Sequence, residues 1–239
     1  MDLLDLRPGE RVLDVGCGRG AVTLPAAAAV GDSGSVTGID VSSAMVERTR
    51  AAAHDAGLAH VDVQVGDATA LDLPLASYDV VASSPVLFFL PQAAAALPGW
   101  VQRVRPGGRM GFTTFGEQDD VWRAVDALFL PHLPASMVDP RTRTTDTPFG
   151  SDEGVEALVA TAGGQDVRTV GQHLAVVFDD AERWRAWTMS TGQRMMWGFV
   201  PEGEREPLFE QAAALLEQAR AGDRIVLHQE VRHTLAGVG

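Results

Sequence analysis

The sequence predicts an α/β fold, a doubly wound parallel sheet with helices on both faces. Three observations carry this reading. Short apolar, β-branched segments of strand length recur through the first half of the chain. Each is followed by a stretch with helical spacing of its apolar residues, and the two alternate five times before residue 115. Glycine, proline and acidic residues stand at the changeovers. Strands buried on both faces read as continuous apolar runs, and parallel neighbours need a crossover that is usually a helix.

Taken in order, Pro8-Gly9 turns the chain into a strand at 11–15 (RVLDV). Gly16 to Gly20 break it, and 21–30 continues as a helix. A second strand at 35–40 (SVTGID) leads to Ser42 or Ser43, either of which can cap a helix that runs to about 56, where Gly57 stops it. Strands follow at 61–65 and 78–83, then a helix at 92–104, the turn Pro106-Gly107-Gly108 and a strand at 109–115. After Phe115 the rhythm changes. A short helix near 119–130 precedes a Pro/Thr/Arg-rich stretch from Pro131 to Pro148. Helix 152–162 and strand 167–178 resume the alternation, 180–222 is a second helical insert, and 224–235 is the last strand. The expectation is one domain, 1–239, with inserts at about 116–150 and 180–222 placed where a substrate cap would sit.

Composition narrows the function. A net charge of -13 repels phosphate backbones and anionic lipid, so nucleic acid and membrane are not expected as partners. The chain has no lysine, which removes Schiff-base chemistry and the P-loop lysine. Its single cysteine, Cys17, cannot form an internal disulfide. With an acidic N-terminus unlike a signal peptide and no apolar run of spanning length, the expected compartment is the cytoplasm.

VLDVGCGRG is the strongest signal. A strand delivers Asp14, and Gly16, Gly18 and Gly20 then turn the chain into a helix whose first N–H groups are free to meet a ligand. The spacing G-x-G-x-G differs from the G-x-G-x-x-G of dinucleotide folds. Asp40 closes the second strand, where a carboxylate can accept from both hydroxyls of a ribose; Gly66-Asp67-Ala68 closes the third, where a carboxylate can take the exocyclic amine of adenine.

VLDVGCGRG, VTGIDVS, GDATALDLP, YDVVASSPVLFFLP and RVRPGGRM, in this order, resemble the class I S-adenosylmethionine-dependent methyltransferases. The pattern is similar to that of the ubiquinone/menaquinone-type and related small-molecule enzymes, and it covers residues 11–115. The resemblance implies a seven-stranded sheet of order 3-2-1-4-5-7-6 with strand seven antiparallel, and S-adenosyl-L-methionine as cofactor. It implies that Asp14 helps hold the amino group of the cofactor, that Gly16, Cys17 and Gly18 line its methionine part, and that Ser83 lies beside the methionine tail. Asp40 would bind the ribose, Val41 and Met45 the faces of adenine, and Asp67 and Ala68 its edge. Two departures stand out. Relatives usually carry helices before the first strand, whereas about ten residues precede it here; a more open cleft, or cover from 116–150 or a partner subunit, is expected instead. Many relatives have a histidine near the position of Phe88 or Phe89, so its role does not transfer.

The second half supplies apolar material for a cap. Trp184, Trp187, Thr191 and Met195 fall at helical spacing, joined by Trp122, Phe129, Met196, Trp197 and Phe199; they read as cap core or as pocket lining. Methyl transfer needs mainly an acceptor held near the methyl and water kept away, and a protonated acceptor also gains from a base. His132, between Pro131 and Leu133-Pro134, is the base candidate. His54, His60, His173, His228 and His233 read as surface or structural, and Asp119 or Asp120 as a helix cap. No His/Asp/Glu group has metal spacing. The expected activity is methyl transfer to an oxygen, or a nitrogen or carbon, of a small, partly apolar molecule. A methyltransferase-like cofactor-binding or regulatory subunit without turnover is the alternative; an NAD or nucleotide-sugar enzyme is opposed by the glycine spacing and Asp67. Two apolar inserts leave surface that a second copy could bury, so a homodimer is also expected.

Overall fold

The computed structural model describes residues 2–87, 90, 92–134 and 148–239. The chain runs β1 (Arg11–Val15), α1 (Thr23–Val30), β2 (Ser35–Asp40), α2 (Ser43–Asp55), β3 (Val61–Val65), β4 (Tyr78–Ser83), α3 (Ala93–Val101), β5 (Val104–Gln118) and α4 (Asp120–Ala127). Beyond these come α5 (Asp152–Thr161), β6 (Gln165–Phe178), α6 (Ala181–Ser190), α7 (Arg194–Phe199), α8 (Glu202–Leu216), β7 (Arg220–Ala221) and β8 (Arg224–Gly237).

The sheet order is β3-β2-β1-β4-β5-β8-β6, with the two-residue β7 paired to β8 off this path. With β7 set aside, this is the expected order 3-2-1-4-5-7-6. β1, β2, β3, β4 and β5 pair in parallel, with Asp14 opposite Gly38 and Ala82, Asp40 opposite Val65, and Ser83 opposite Phe112. β8 runs against β5: Gly107 N–H donates to Val238 O and Val238 N–H to Gly108 O at one end, Asp119 N–H to His228 O at the other. The chain reverses direction across the sheet between β1 and β4, so the carboxyl ends of these strands form the crevice where ligands bind in open α/β sheets.

The chain forms two compact units, one of residues 1–115, 146–171 and 232–239, the other of residues 116–145 and 172–231. In unit one the period-two alternation of the strands sorts their side chains. Leu13 and Val81 face one way, packed with Leu97, Trp100, Met110, Val155 and Val159; Val12 and Val80 face the other, against Ala26, Ala27, Val30 and Val36. Each such aliphatic side chain taken from water contributes about 1.5–3 kcal/mol. In unit two the core is aromatic, with Trp122, Phe129, Phe178, Trp184, Trp197 and Phe209 among Val125, Leu208, Leu216, Ile225 and Leu227.

Three elements differ from expectation. β5 begins at Val104 rather than 109, because Pro106-Gly107-Gly108 is a bulge inside it: Tyr78 opposes Val104 and Val80 opposes Arg109, so the extra residues loop out. β7 is an eighth strand, made by a hairpin in which Gly222 adopts φ 65° and Arg220 and Ala221 pair with Ile225 and Arg224. The stripe Trp184-Trp187-Thr191-Met195 does not sit on one helix: α6 ends at Ser190, α7 starts at Arg194, and Met195 is exposed.

In unit one, Arg232 of β8 is buried, with its Nε 2.8 Å from Asp152 Oδ1 and its Nη1 donating to Phe149 O at 3.0 Å. It fastens the start of α5 to the sheet. Arg232→Met leaves the Phe149 carbonyl and the half-exposed Asp152 without this partner, and is expected to lower unfolding free energy by about 1–3 kcal/mol, read from urea denaturation.

Candidate active site

The turn after β1 is built by backbone geometry that only glycine supplies. Gly16 has φ 74°, and a Cβ there would stand 2.2 Å from Val86 Cγ2. Gly16 and Cys17 N–H both donate to Ile39 O at 2.8 Å, which binds the turn to β2. Gly18, at φ 52°, is different: a Cβ there would meet nothing within 4 Å, so this side of the turn faces open space.

Asp40 braces that turn from the end of β2. Its Oδ2 accepts from Gly18 N–H and its Oδ1 from Ser42 N–H, both at 2.9 Å. Each oxygen keeps lone-pair capacity for a further donor. Ser42 in turn caps α2, accepting from Met45 N–H at 3.4 Å, and Thr49 Oγ1 donates to Gly18 O at 2.7 Å.

Asp14 is 1% exposed. Its Oδ2 accepts from Thr23 Oγ1 at 2.6 Å, while Oδ1 is buried with no partner. Burial raises its carboxyl to about 6; the hydrogen bonds from Thr23 oppose this and the charge of Asp40 adds to it. An ionisable oxygen left bare in the interior is costly unless a donor or cation arrives. The neighbouring Cys17 thiol is pushed up to about 12 by burial and by Asp14 and Asp40, so it is inert at neutral pH.

Asp67 lies exposed beyond β3, and its Oδ1 accepts from Thr69 N–H at 2.8 Å and Thr69 Oγ1 at 2.7 Å. Those bonds, the backbone one first, hold its carboxyl below the usual range. Ala68 O accepts from Trp100 Nε1 at 2.7 Å, which anchors this turn to α3. Val41 is 77% exposed at the end of β2 and Met45 half-buried one turn along. Ser83 is buried, its hydroxyl donating to Val15 O at 2.7 Å and tying β4 to the end of β1. Asp14, Gly16, Cys17, Gly18, Asp40, Val41, Met45, Asp67, Ala68 and Ser83 thus all belong to unit one, at or just beyond the carboxyl ends of β1 to β4.

His132 belongs to unit two. It closes a 3-10 turn, Leu130–His132, rather than an irregular loop, with its N–H donating to Phe129 O. Its side chain is mostly buried, Nδ1 lying 4.0 Å from Glu204 Oε2. Asp119 serves as the α4 cap, accepting from Trp122 N–H at 2.7 Å, and its other oxygen accepts from His228 N–H at 2.6 Å. Phe88 and Phe89 lie outside the described residues. Sequence reading missed Thr23, Thr49 and Val86, which position the turn; the available signal was a threonine on the inward face of α1 and of α2, both fully buried.

Residues 12–108 match the family described as a methyltransferase domain. Over 236 residues the chain is 34% identical to the nocamycin O-methyltransferase of Saccharothrix syringae, a match covering 94% of this chain and 84% of that protein. The chain belongs to the class I S-adenosylmethionine-dependent methyltransferases. The methyltransferase is also 41% identical over 131 residues to the aklanonic acid methyltransferase DauC of a Streptomyces strain, 55% of this chain and 57% of that one. Its fold is similar to that of the YcgJ protein of Bacillus subtilis, with a TM-score of 0.64 at 16% identity over 99% and 95% of the two chains. Its cofactor is S-adenosylmethionine and its methyl acceptor a small molecule. Among the described residues of the methyltransferase, no helix is long and apolar enough to cross a membrane, and no group of three or more His, Cys, Asp or Glu is placed to hold a metal ion.

Asp14 makes a pH prediction with a definite sign. Its native pKa, about 6, lies above the ordinary 3.8, so its contribution to stability is fully present below about pH 4 and lost as pH rises through about 6. Asp14→Asn is therefore expected to stabilise the free methyltransferase at neutral pH by about 2–3 kcal/mol, with the gain vanishing near pH 4. Urea titrations across that range check it.

Proposed function

We propose that this methyltransferase moves the methyl group of S-adenosylmethionine to an oxygen of a small, partly apolar molecule in the cytoplasm. The observation that carries the cofactor reading is the buried, unpartnered oxygen of Asp14 beside a glycine turn held by Asp40. An ammonium group is the natural complement of that oxygen, and a ribose diol of the remaining lone pairs of Asp40. In this reading Gly16, Cys17 and Gly18 line the methionine portion, with Ser83 beside its tail. Val41, left exposed, and Met45 cover adenine, and Asp67 and Ala68 meet its edge. The whole-length likeness to an O-methyltransferase supports oxygen as the acceptor atom.

When bound, the cofactor supplies an electrophilic methyl on a good leaving group, so the chain's own residues have only to orient, shield and deprotonate. Orientation alone can be worth about 7–11 kcal/mol. His132 is the proposed base that takes the acceptor's proton, with the Glu204 carboxylate 4.0 Å from its Nδ1.

Titration calorimetry tests the cofactor half. S-adenosylhomocysteine is expected to bind, and Asp40→Ala to weaken it by about 1.5–3 kcal/mol. Affinity is expected to fall as pH drops through about 6, where Asp14 gains its proton and its attraction for an ammonium is lost. Absence of binding would overturn the reading.

For the base, His132→Ala is expected to cut turnover by about 10²–10⁴-fold with cofactor affinity unchanged. A loss under about tenfold would leave proximity and desolvation as the whole mechanism.

A further inference from the structure

The segment between β1 and α1 is clasped at its ends by Asp14 and Thr23, whose hydroxyl donates to Asp14 Oδ2 at 2.6 Å, and Arg19 stands near its middle. Most of its backbone donors are used within the fold. Gly16 and Cys17 N–H go to Ile39 O, Gly18 N–H to Asp40, Gly20 N–H to Cys17 O and Leu24 N–H to Gly20 O. Thr23 N–H is directed at Asp14, Pro25 has no N–H, and Ala26 N–H goes to Val22 O. The first turn of α1, where a helix ordinarily offers N–H groups to an anion, is therefore closed. The Arg19 side chain is exposed and makes no ion pair or hydrogen bond among the described residues. It stays so although Asp40 holds the N–H of the residue before it, in a chain with 32 acidic against 19 basic side chains. Beside it a Cβ at Gly18 would meet nothing within 4 Å, whereas a Cβ at Gly16 would strike Val86 and one at Gly20 would press on Leu24 and Thr49. The turn is walled on either side of the Gly18–Arg19 step and open at it.

One short segment of unit one thus carries a buried carboxylate oxygen with no partner, Asp14 Oδ1, and an arginine left unpaired among the described residues. Buried polar groups are nearly always paired, so the bare oxygen needs a complement. The complement of both groups together is a zwitterion with an ammonium and a carboxylate on one carbon, which is the form of the methionine end of S-adenosylmethionine at neutral pH. With the first turn of α1 closed, the carboxylate needs a side-chain donor. A guanidinium offers five N–H groups in a planar fork and a charge that does not titrate. We propose that Arg19 binds the carboxylate of the cofactor while Asp14 takes its ammonium, so that this turn reads the amino-acid end of S-adenosylmethionine as a zwitterion. This rests on the cofactor reading above, in which Asp14 meets the ammonium.

The test is titration calorimetry on the full chain with three probes: S-adenosylhomocysteine, the same molecule lacking its carboxylate, and the same molecule lacking its amino group. The wild type is expected to bind S-adenosylhomocysteine about tenfold more tightly than the decarboxylated analogue, one charge-assisted contact being at stake. Arg19→Met is expected to reduce that preference to under about twofold by weakening S-adenosylhomocysteine, with the decarboxylated analogue held about as tightly as before. Arg19→Lys keeps the charge without the fork and is expected to retain part of the preference. Arg168→Met makes the same change of charge at an exposed position on β6 of unit one, and as the control is expected to leave the preference intact. The preference is also expected to hold from about pH 7.5 to about pH 5, where neither guanidinium nor carboxylate titrates. Over the same range the preference for S-adenosylhomocysteine over the deaminated analogue is expected to fall, as Asp14 gains its proton. Failure of S-adenosylhomocysteine to bind at all would overturn the cofactor reading, and this inference with it. Tight S-adenosylhomocysteine binding with no wild-type preference over the decarboxylated analogue, a preference retained in Arg19→Met, or one lost equally in Arg168→Met would overturn the assignment of Arg19 alone.

Discussion

The carboxylate of Asp40 joins two things that have no covalent reason to stay together: the glycine turn after β1 and the start of α2. One oxygen takes Gly18 N–H and the other Ser42 N–H. The turn cannot hold itself, since three of its residues adopt positive φ and contribute no side chains to pack. It is pinned instead by Ile39 O and Asp40 from β2, Thr49 from α2, and the close approach of Val86 to Gly16. With these in place the side of Gly18 where a Cβ would stand remains open. A carboxylate that already holds its own loop is also pre-organised for a ligand, because little ordering remains to be done when the ligand arrives.

Asp14 shows the opposite economy. The strand carries it into the interior, Thr23 satisfies one oxygen, and the other is left bare at the expense of the free protein's stability. Burial raises its pKa into a range where the free protein is partly protonated near neutral pH. Such a group is a poor structural choice and a good cation receptor, which is why an isosteric amide would make a more stable but less capable protein. Cys17 is kept as the thiol first by burial and then by the same two carboxylates, whose negative charge opposes a thiolate.

In unit two, three tryptophans are buried in a core they share with phenylalanines and aliphatic side chains. Trp184 and Trp197 are 1% and 3% exposed, and edge-to-face contacts join Trp122 and Phe178 to Trp187, and Phe129 and Trp184 to Trp197. Trp122, Phe129, Trp184 and Trp197 are buried in the core of unit two, whereas Met195 and Phe199 are exposed. The polar exceptions, Gln118, Asp126 and Gln193, are spread over β5, α4 and the α6–α7 turn, and only the folded chain brings them into one network.

Local chemistry in the sequence by itself determined the strand–helix alternation, the glycine turn with Asp14 before it, and the acidic residues closing β2 and β3. Each depends on near neighbours: period-two apolar residues, glycine at positive φ, a serine cap. The Pro-Gly-Gly bulge in β5 and the hairpin at Gly222 were misread or missed because a turn signal does not say whether the strand resumes pairing beyond it. Tertiary structure alone decided the partners of buried polar atoms. That Ser83 is occupied by Val15 O, that Thr23 serves Asp14, and that Gln193 is held by Asp126 while its oxygen stays bare all follow from residues 9 to 68 positions apart meeting in space. A side chain's chemistry is written in the sequence, but which of its atoms remain free is set by what folds against it.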